Sequence, residues 1–230
     1  MRRSPRRVLL KLSGEAFQGP EGPISADALT RIAAEIVPLS NVEIAIVVGG
    51  GNILRGGRTD AFERIEGDDL GMLATVFNAL ALRSYVERAG RTAVVQSAVD
   101  TQLTETISIR AARAALSSGS IMIFAGGTGS PLVTTDTAAA LRAVSIDADL
   151  LAKASNVPGV YDGDPATDAN ATLQTEVSFA EFLERRYGVM DQIAVEICAE
   201  HEVPIEVFDF DRPGALKDLV SGRRVGTRIQ

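Results

Sequence analysis

The chain has 230 residues, of which 46% are hydrophobic and 23% are charged, and this composition suffices for one large packed domain or two small ones. Its formal net charge of -7 argues against a nucleic-acid partner, because nucleic-acid-binding proteins normally carry a basic face. No apolar run reaches the ~18 residues of a membrane-spanning helix, so we expect no membrane partner. The single cysteine, Cys198, cannot form an internal disulfide, and we therefore expect a reducing, cytoplasmic location.

Apolar strand-like segments alternate with helical patterns along the chain, which predicts an α/β fold with a mainly parallel sheet. A long connection is expected over 54–69, with Asp68 and Asp69 opening the helix that follows it. That helix either covers the sheet or forms an oligomer interface, and the apolar residues on its one face are Leu70, Leu73, Ala74, Phe77, Leu80 and Ala81. In chain order we expect strands at 8–12, 44–48, 92–96, 121–124, 149–153 and 205–208, and helices after Ser25 and at 70–82, 105–116, 136–144, 179–183, 189–200 and 214–221.

Nothing in the composition marks a sharp domain boundary. We expect a single domain over 1–230, with one lobe over about 1–148 and a second over about 149–230. Both lobes are expected to share one continuous sheet.

Three of the predicted strands run directly into glycine-rich turns, at 11–14, 49–52 and 126–129. Because glycine lacks a Cβ atom, a ligand can approach the backbone N–H groups of such turns closely, and these groups suit phosphate. The carboxyl ends of parallel strands open at one edge of the sheet, where ligands bind in open α/β folds. The sequence therefore predicts a site for a polyanion, and a nucleotide is the obvious one.

The established nucleotide-binding signatures are absent, because the chain contains no G-x-x-x-x-G-K-[ST], no G-x-G-x-x-G and no protein-kinase motif set. His201 is the only histidine, so a hydrolase triad is disfavoured, and no His/Cys cluster has zinc spacing. We assign no metal-binding residue. A phosphoryl-transfer function must rest on the turns and on the charges beside them.

Phosphoryl transfer depends mainly on positioning and on neutralising charge. Lys11 follows a buried strand and precedes Ser13-Gly14, so it is a candidate cation at the transferred group, whereas its alternative is an exposed strand-end lysine. Arg55 follows the triple-glycine turn, where it can share a phosphate with a helix N-terminus. Asp136 opens a helix, where it is favoured by the helix dipole, and it can orient Lys11 or position magnesium through water.

Several motifs together resemble the bacterial uridylate kinases, a branch of the amino-acid-kinase superfamily. The resemblance covers almost the whole chain. The lysine and triple-glycine motifs specify only the superfamily, while the motifs at 67–75 and 128–136 narrow it to the uridylate branch. The motifs are K-L-S-G-E-A at 11–16, V-V-G-G-G-N at 47–52, R-G at 55–56, G-D at 67–68, G-M-L-A-T at 71–75 and T-G-S-P-L-V-T-T-D at 128–136.

The resemblance implies a three-layer αβα sandwich of the amino-acid-kinase fold and transfer of the ATP γ-phosphate to UMP, giving UDP and ADP, with Mg²⁺, in pyrimidine nucleotide biosynthesis. It implies catalytic roles for Lys11, Arg55 and Asp136. The implied ATP-binding residues are Lys11, Leu12, Ser13, Gly14, Gly51, Arg55, Ser155, Asn156, Tyr161 and Asp164. The implied UMP-binding residues are Gly50, Asp68, Thr128, Gly129, Ser130, Pro131, Leu132, Val133, Thr134 and Thr135.

The resemblance also implies a homohexamer with allosteric regulation by GTP or UTP. The segment 19–23 is about one residue shorter than the family segment tied to GTP activation, and Pro158 and Ser130 depart from the family pattern. Two other functions stay open. One is a superfamily phosphotransferase of the acetylglutamate or carbamate type, and the other is a non-catalytic nucleotide sensor or storage protein.

Overall fold

The computed structural model describes residues 4–54, 61–163 and 171–230. Within these ranges a single nine-stranded sheet is covered by helices on both faces, so the fold is a three-layer αβα sandwich as predicted. The strands are β1 (Arg7–Leu12), β2 (Glu43–Val48), β3 (Ala93–Ser97), β4 (Glu105–Thr106), β5 (Ile121–Ala125), β6 (Leu150–Ser155), β7 (Glu176–Val177), β8 (Ile205–Asp209) and β9 (Gly226–Ile229). The helices are α1 (Ala26–Ile36), α2 (Arg64–Arg88), α3 (Ile109–Ser117), α4 (Thr135–Ser145), α5 (Phe179–Arg185), α6 (Gln192–Glu200) and α7 (Ala215–Val220), with a 3-10 turn at Gly14–Phe17.

The strand order is β4-β3-β5-β2-β1-β6-β8-β9-β7, and neighbouring strands are parallel except for the antiparallel pair β8–β9. The central strands are apolar along nearly their whole length because helices cover both of their faces. In the register of the sheet, Lys11 on β1 lies between Val47 on β2 and Lys153 on β6.

Each face of the sheet packs against its own set of helices. One core contains the apolar sides of α1, α2 and α7, represented by Ile32, Leu82 and Leu216. The other contains those of α3, α4, α5 and α6, represented by Leu116 and Val195. No helix in the described ranges is both long and apolar enough to cross a lipid bilayer.

The predicted start of α2 was wrong. The helix begins at Arg64, so Asp68 and Asp69 lie within it and Glu63 is the N-cap residue. The stretch before Leu70 is polar and contains Gly67, so it carries no apolar period that marks a helix.

The first part of the apolar stripe predicted on α2 is exposed. The stripe residues Leu70, Leu73 and Phe77 are 38%, 52% and 55% exposed. The sheet is covered instead by the face of α2 that carries Val76 and Leu82, which are 5% and 0% exposed. Leu80 and Ala81, which belong to the same predicted stripe, pack against this core. The helix therefore covers the sheet, as one of the two alternatives predicted, while the first part of its stripe stays exposed.

The helix predicted over 105–116 was also wrong at its start. Residues 105–106 form β4, and Ser108 caps α3 by accepting a hydrogen bond from the Ala111 backbone at 3.4 Å. In the same way, Asp191 accepts a hydrogen bond from the Ile193 backbone at 3.1 Å, so α6 begins at Gln192 and not at 189. In both places a capping side chain sets the first residue of the helix.

Candidate active site

The structure brings the three glycine-rich turns together, because β5, β2 and β1 are neighbours in the sheet and end at the same edge. The first two turns are in direct contact. The Gly49 backbone donates a hydrogen bond to the Leu12 carbonyl at 2.8 Å. A Cβ atom built on Gly14 would lie 2.5 Å from the backbone nitrogen of Gly51, so only glycine allows this approach.

The third turn needs glycine for its backbone conformation. Gly126, Gly127 and Gly129 have φ angles of +74°, +57° and +83°, in the left-handed region that disfavours other residues. The Gly126 backbone donates a hydrogen bond of 2.6 Å to the hydroxyl of Thr75 on α2. This hydrogen bond fixes the third turn to α2.

A buried group of three charges lies beside the turns. The Nζ atom of Lys11 is 2.9 Å from Oδ1 of Asp136, and the Nζ atom of Lys153 is 2.5 Å from Oδ2 of the same carboxylate. Burial alone would raise the pKa of Asp136, but the positive charges of Lys11 and Lys153 outweigh it and lower the pKa to about 2. Asp136 is therefore a carboxylate at neutral pH and holds the two ammonium groups on either side of it.

Sequence reasoning missed Lys153. Burial lowers its pKa most, the charge of Lys11 adds to that effect, and Asp136 opposes it, so that the pKa falls to about 8. The available signal was a lysine inside an otherwise apolar strand, L-L-A-K-A at 150–154, because buried lysines are rare unless paired.

Asp191 joins the start of α4 to the start of α6. Its Oδ2 atom accepts hydrogen bonds from the hydroxyls of Thr134 and Thr137, at 2.7 and 2.9 Å. Its backbone nitrogen donates to Oδ2 of Asp136 at 3.2 Å. The hydroxyl of Thr134 also accepts the N-cap hydrogen bond of α4 from the Thr137 backbone at 3.3 Å. This network fixes the first turn of α4 and hence the position of the Asp136 carboxylate.

Two cavities open near this charge group. The first has a volume of 510 Å³ and lies between α2 and the loop over 126–135. On its wall, Oδ2 of Asp68 accepts hydrogen bonds of 2.9 Å from Arg64 Nε and from the Leu132 backbone. The lining residues are Gly50, Gly51, Leu54, Arg64, Gly67, Asp68, Gly71, Met72, Thr75, Gly127, Ser130, Val133, Thr134 and Thr135.

The second cavity has a volume of 420 Å³ and lies beside the first glycine turn and the end of β6. At its margin Arg31 forms an ion pair of 2.9 Å with Asp211. Its lining residues are Ser13, Glu15, Ala16, Gln18, Gly19, Arg31, Ala154, Ser155, Asn156, Phe210 and Asp211.

The structure brings about half of the predicted site residues to the linings of these two cavities. Of the residues predicted to bind UMP, those that line the first cavity are Gly50, Asp68, Ser130, Val133, Thr134 and Thr135. Thr128, Gly129, Pro131 and Leu132 belong to the same loop without lining that cavity. Gly51, predicted to bind ATP, also lines the first cavity, while Ser13, Ser155 and Asn156 line the second.

The other predicted residues lie elsewhere. Leu12 is fully buried, and its carbonyl accepts the hydrogen bond from Gly49. Tyr161 lines a separate cavity of 760 Å³ together with Arg186 and Tyr187. Arg55 and Asp164 lie outside the described residues.

Comparisons with known proteins agree with this geometry. Residues 6–209 match the model of the amino acid kinase family. The chain is 46% identical to the uridylate kinase of Pseudomonas syringae pv. syringae (strain B728a), over 98% of this chain and 94% of that protein. It is 45% identical to the uridylate kinase of Stutzerimonas stutzeri (strain A1501), over 99% and 96%.

Solved structures give the same result. The UMP kinase from Bacillus anthracis superimposes with a TM-score of 0.95 at 33% identity, covering 99% of this chain and 97% of that one. The UMP kinase from Ureaplasma parvum gives a TM-score of 0.92 at 32% identity, with both chains covered completely at 100%. The chain therefore belongs to the amino acid kinase family, in its uridylate kinase branch.

Proposed function

We propose that the protein transfers the γ-phosphoryl group of ATP to UMP, giving ADP and UDP. One observation carries the proposal: the buried Lys11–Asp136–Lys153 group stands between two cavities at the edge where the glycine turns meet. Thr135, the residue before Asp136, lines the first cavity, and Ala154, the residue after Lys153, lines the second. Such an arrangement suits two phosphorylated ligands that meet at a shared pair of cations.

The chemistry requires little covalent help from the protein. A phosphate oxygen of UMP forms a bond to the γ-phosphorus of ATP while the bond from that phosphorus to the bridging oxygen breaks, and ADP leaves with the electron pair. The attacking oxygen is already anionic, so no strong general base is needed. The main obstacle is repulsion between the two sets of phosphate charges, which cations and aimed backbone amides reduce.

The charge group supplies those cations. Lys11 and Lys153 place two positive charges beside the turns, on either side of the Asp136 carboxylate, and the charge of Asp191 also acts on Lys153. Asp136 keeps the two ammonium groups close together despite their mutual repulsion. Arg55, which lies outside the described residues, stays part of the proposal as a further cation near both phosphates.

In this proposal Mg²⁺ binds together with ATP. Among the residues that the structure describes, no group of three or more His, Cys, Asp or Glu side chains is suited to hold a metal ion. Both carboxylate oxygens of Asp136 face lysines. We therefore treat Mg²⁺ as part of the MgATP substrate, in which phosphate oxygens and water supply most of its ligands.

The two cavities are assigned to the two substrates. UMP is placed in the first cavity, where the Asp68 carboxylate can accept hydrogen bonds from sugar hydroxyls and the loop over 128–135 can contact the nucleotide. ATP is placed in the second cavity and the turn beside it, with Ser13, Ser155 and Asn156 as contacts. Tyr161 and Asp164 stay candidates for the adenosine. In this proposal the acceptor contacts belong to the lobe over about 1–148, and the lobe over about 149–230 contributes Ser155, Asn156, Tyr161 and Asp164 to the donor, alongside donor contacts from the first lobe.

Assembly, location and regulation complete the proposal. We expect a homohexamer in the cytoplasm, regulated by GTP or UTP, that acts in pyrimidine nucleotide biosynthesis. The support for assembly is the exposed apolar stripe on α2. Together with Pro23, Ile53 and Phe62, this stripe lines an apolar groove of 620 Å³.

The acceptor nucleotide is tested by measuring ADP release with UMP, CMP, AMP and acetylglutamate under identical conditions. We expect the highest kcat/KM with UMP. Preferred turnover of acetylglutamate would contradict the proposal in favour of the other phosphotransferase class. Binding of nucleotides without any ADP release would favour a non-catalytic sensor or storage protein.

A further inference from the structure

Two polar side chains on the sheet-facing side of α2 contact glycine turns. Thr75 and Asn78 are three positions apart in the sequence, so they lie on the same side of the helix. The Thr75 hydroxyl accepts the hydrogen bond from Gly126 in the third turn. Asn78, which is 0% exposed, donates a hydrogen bond of 2.7 Å from Nδ2 to the Gly49 carbonyl in the second turn.

Asn78 also forms a reciprocal amide pair with Asn52. Asn78 Nδ2 donates to Asn52 Oδ1 at 2.8 Å, and Asn52 Nδ2 donates to Asn78 Oδ1 at 3.1 Å. The second hydrogen of Asn52 Nδ2 goes to the Pro23 carbonyl at 2.7 Å. The orientation of both amides is determined, because Gly49 and Pro23 each present a carbonyl that can only accept.

The amide pair lies where the first two turns touch. Asn52 directly follows Gly51, and a Cβ atom built on Gly14 would lie 2.6 Å from Asn52 Oδ1. The same Cβ atom would lie 2.5 Å from the backbone nitrogen of Gly51. Asn52, at the end of the second turn, therefore packs directly against the first turn.

We propose that Asn78 is a positioning residue for phosphoryl transfer, which acts through Asn52 and Gly49 to fix the backbone amides of the glycine turns. This inference rests on the proposed function. Asn78 acts from inside the core, at the buried side of the turn, and so through its partners. Buried amide groups are tolerated only when hydrogen-bonded, and an apolar residue would fill the same space without that requirement if packing were the only demand.

The test compares Asn78→Ala, Asn52→Ala, the double variant and a matched control, Leu82→Ala. Leu82 lies one helical turn beyond Asn78, is 0% exposed and packs in the core. For each variant, kcat, the KM for each nucleotide and the unfolding temperature are measured. We expect kcat to fall roughly 10- to 100-fold in each asparagine variant, with smaller changes in KM, because misplacement by about 1 Å impairs transfer to this extent.

The control and the double variant separate positioning from stability. We expect Leu82→Ala to lower the unfolding temperature while keeping the kcat of the folded fraction. We expect the double variant to lose no more activity than either single variant, since both residues act through one amide pair. A kcat for Asn78→Ala within about twofold of wild type, with an unfolding temperature lowered as in the control, overturns the proposal. If the losses in kcat add up in the double variant, Asn78 does not act through Asn52.

Two further measurements apply if Asn78→Ala does not fold or if the wild type is inactive. Asn52 is only partly buried, so Asn52→Ala provides the test if Asn78→Ala does not fold. If the wild type forms no UDP, the proposed function fails, and ATP affinity from calorimetry then judges the positioning role. Roughly tenfold weaker ATP binding by the asparagine variants supports the role in that case, while unchanged affinity, or no ATP binding by the wild type, overturns it.

Discussion

At the scale of single residues, Lys153 shows how strand pairing brings charged side chains from distant parts of the chain together, because it lies beside Lys11 in the sheet. Its side chain is almost fully buried, and the Asp136 carboxylate beside it is shared with Lys11. Burial lowers the pKa of Lys153 to about 8, so the ammonium begins to lose its proton within the range of ordinary assays. Bound phosphates supply negative charge and oppose that loss.

The pH dependence of the reaction tests this role. Below the pKa of about 8 Lys153 is charged, and above that value the empty site loses a cation. We therefore expect kcat/KM to fall as the pH rises through about 8 and the fall in kcat to appear at higher pH, where the bound nucleotides hold the proton.

The control is Lys153→Arg, whose guanidinium stays charged throughout this range. We expect the decline in kcat/KM above pH 8 to disappear in this variant, even if its rate is lower. The same decline in the arginine variant would show that another group causes it. An unaltered kcat/KM across the range in the wild type would contradict the role of Lys153 directly.

The Asp68 carboxylate is proposed to bind the sugar of the acceptor. For Asp68→Asn we expect the KM for UMP to rise roughly tenfold with little change in the KM for ATP, because one acceptor of hydrogen bonds is weakened. The measurement is a pair of saturation curves, each at a fixed excess of the other nucleotide. An unchanged UMP curve would remove Asp68 from the acceptor site.

The sequence alone indicated some of these residues and not others. Lys11 and Asp136 belong to recognisable motifs, so their positions stand out along the chain. Lys153 and Asn78 belong to no motif, because their partners come from distant segments: Lys153 pairs with Asp136 at the start of α4, and Asn78 with the second glycine turn. Contacts between distant segments leave no spacing that can be read from one sequence.

At the scale of secondary structure, α2 is the element that determines the site most directly. It supplies Asp68 to the wall of the first cavity, Thr75 to the third glycine turn and Asn78 to the second. A Cβ atom built on Gly50 would lie 2.5 Å from the Gly71 carbonyl, so the helix also packs directly against the turn. These contacts make α2 the common support of both the acceptor cavity and the turns.

The hydroxyl of Thr75 provides a test at this scale. Thr75→Val keeps the shape of the side chain but leaves the Gly126 N–H without its buried acceptor, so we expect a loss of about 1–3 kcal/mol in the free energy of unfolding. Thr75→Ser keeps the hydroxyl and is the matched control, with a smaller expected loss. Chemical denaturation of both variants gives the comparison. Equal stability of the valine and serine variants would show that the Gly126 hydrogen bond contributes little.

The elements that sequence reasoning predicted best are the central strands. β1, β2 and β5 are apolar and are each followed by a glycine-rich turn, so the hydrophobic pattern and the turn residues indicate the same strand ends. The short strands β4, β7 and β9 carry no such pattern, because they are paired at the margin of the sheet and are partly exposed. The start of α2 was misplaced for a related reason, since its first turns are polar.

At the scale of the whole molecule, the exposed apolar stripe on α2 is a surface that one chain leaves uncovered. Leu73 and Phe77 are more than half exposed and are continuous with an apolar groove. Contiguous apolar surface of this kind favours association between proteins. The opposite face of the same helix contacts the glycine turns. Assembly through the stripe would therefore also restrict the movement of these turns.

A charge on the stripe tests the proposed assembly. We expect wild-type protein to sediment as a hexamer and Phe77→Asp to sediment as smaller species, since a carboxylate in an apolar interface is strongly unfavourable. Analytical ultracentrifugation at several concentrations measures both, and Glu87→Asp on the same helix serves as a conservative control. A hexamer in the Phe77→Asp variant would place the interface elsewhere.

The most direct measurement is the rate of UDP formation from UMP and MgATP by the wild type and by Lys11→Ala, with unfolding temperatures recorded for both. If the cations beside the glycine turns carry the transfer, the wild type forms UDP and ADP in equal amounts. The variant then loses roughly 100- to 1,000-fold in kcat while remaining folded. Near-normal turnover by folded Lys11→Ala, or no UDP from the wild type, would contradict the account.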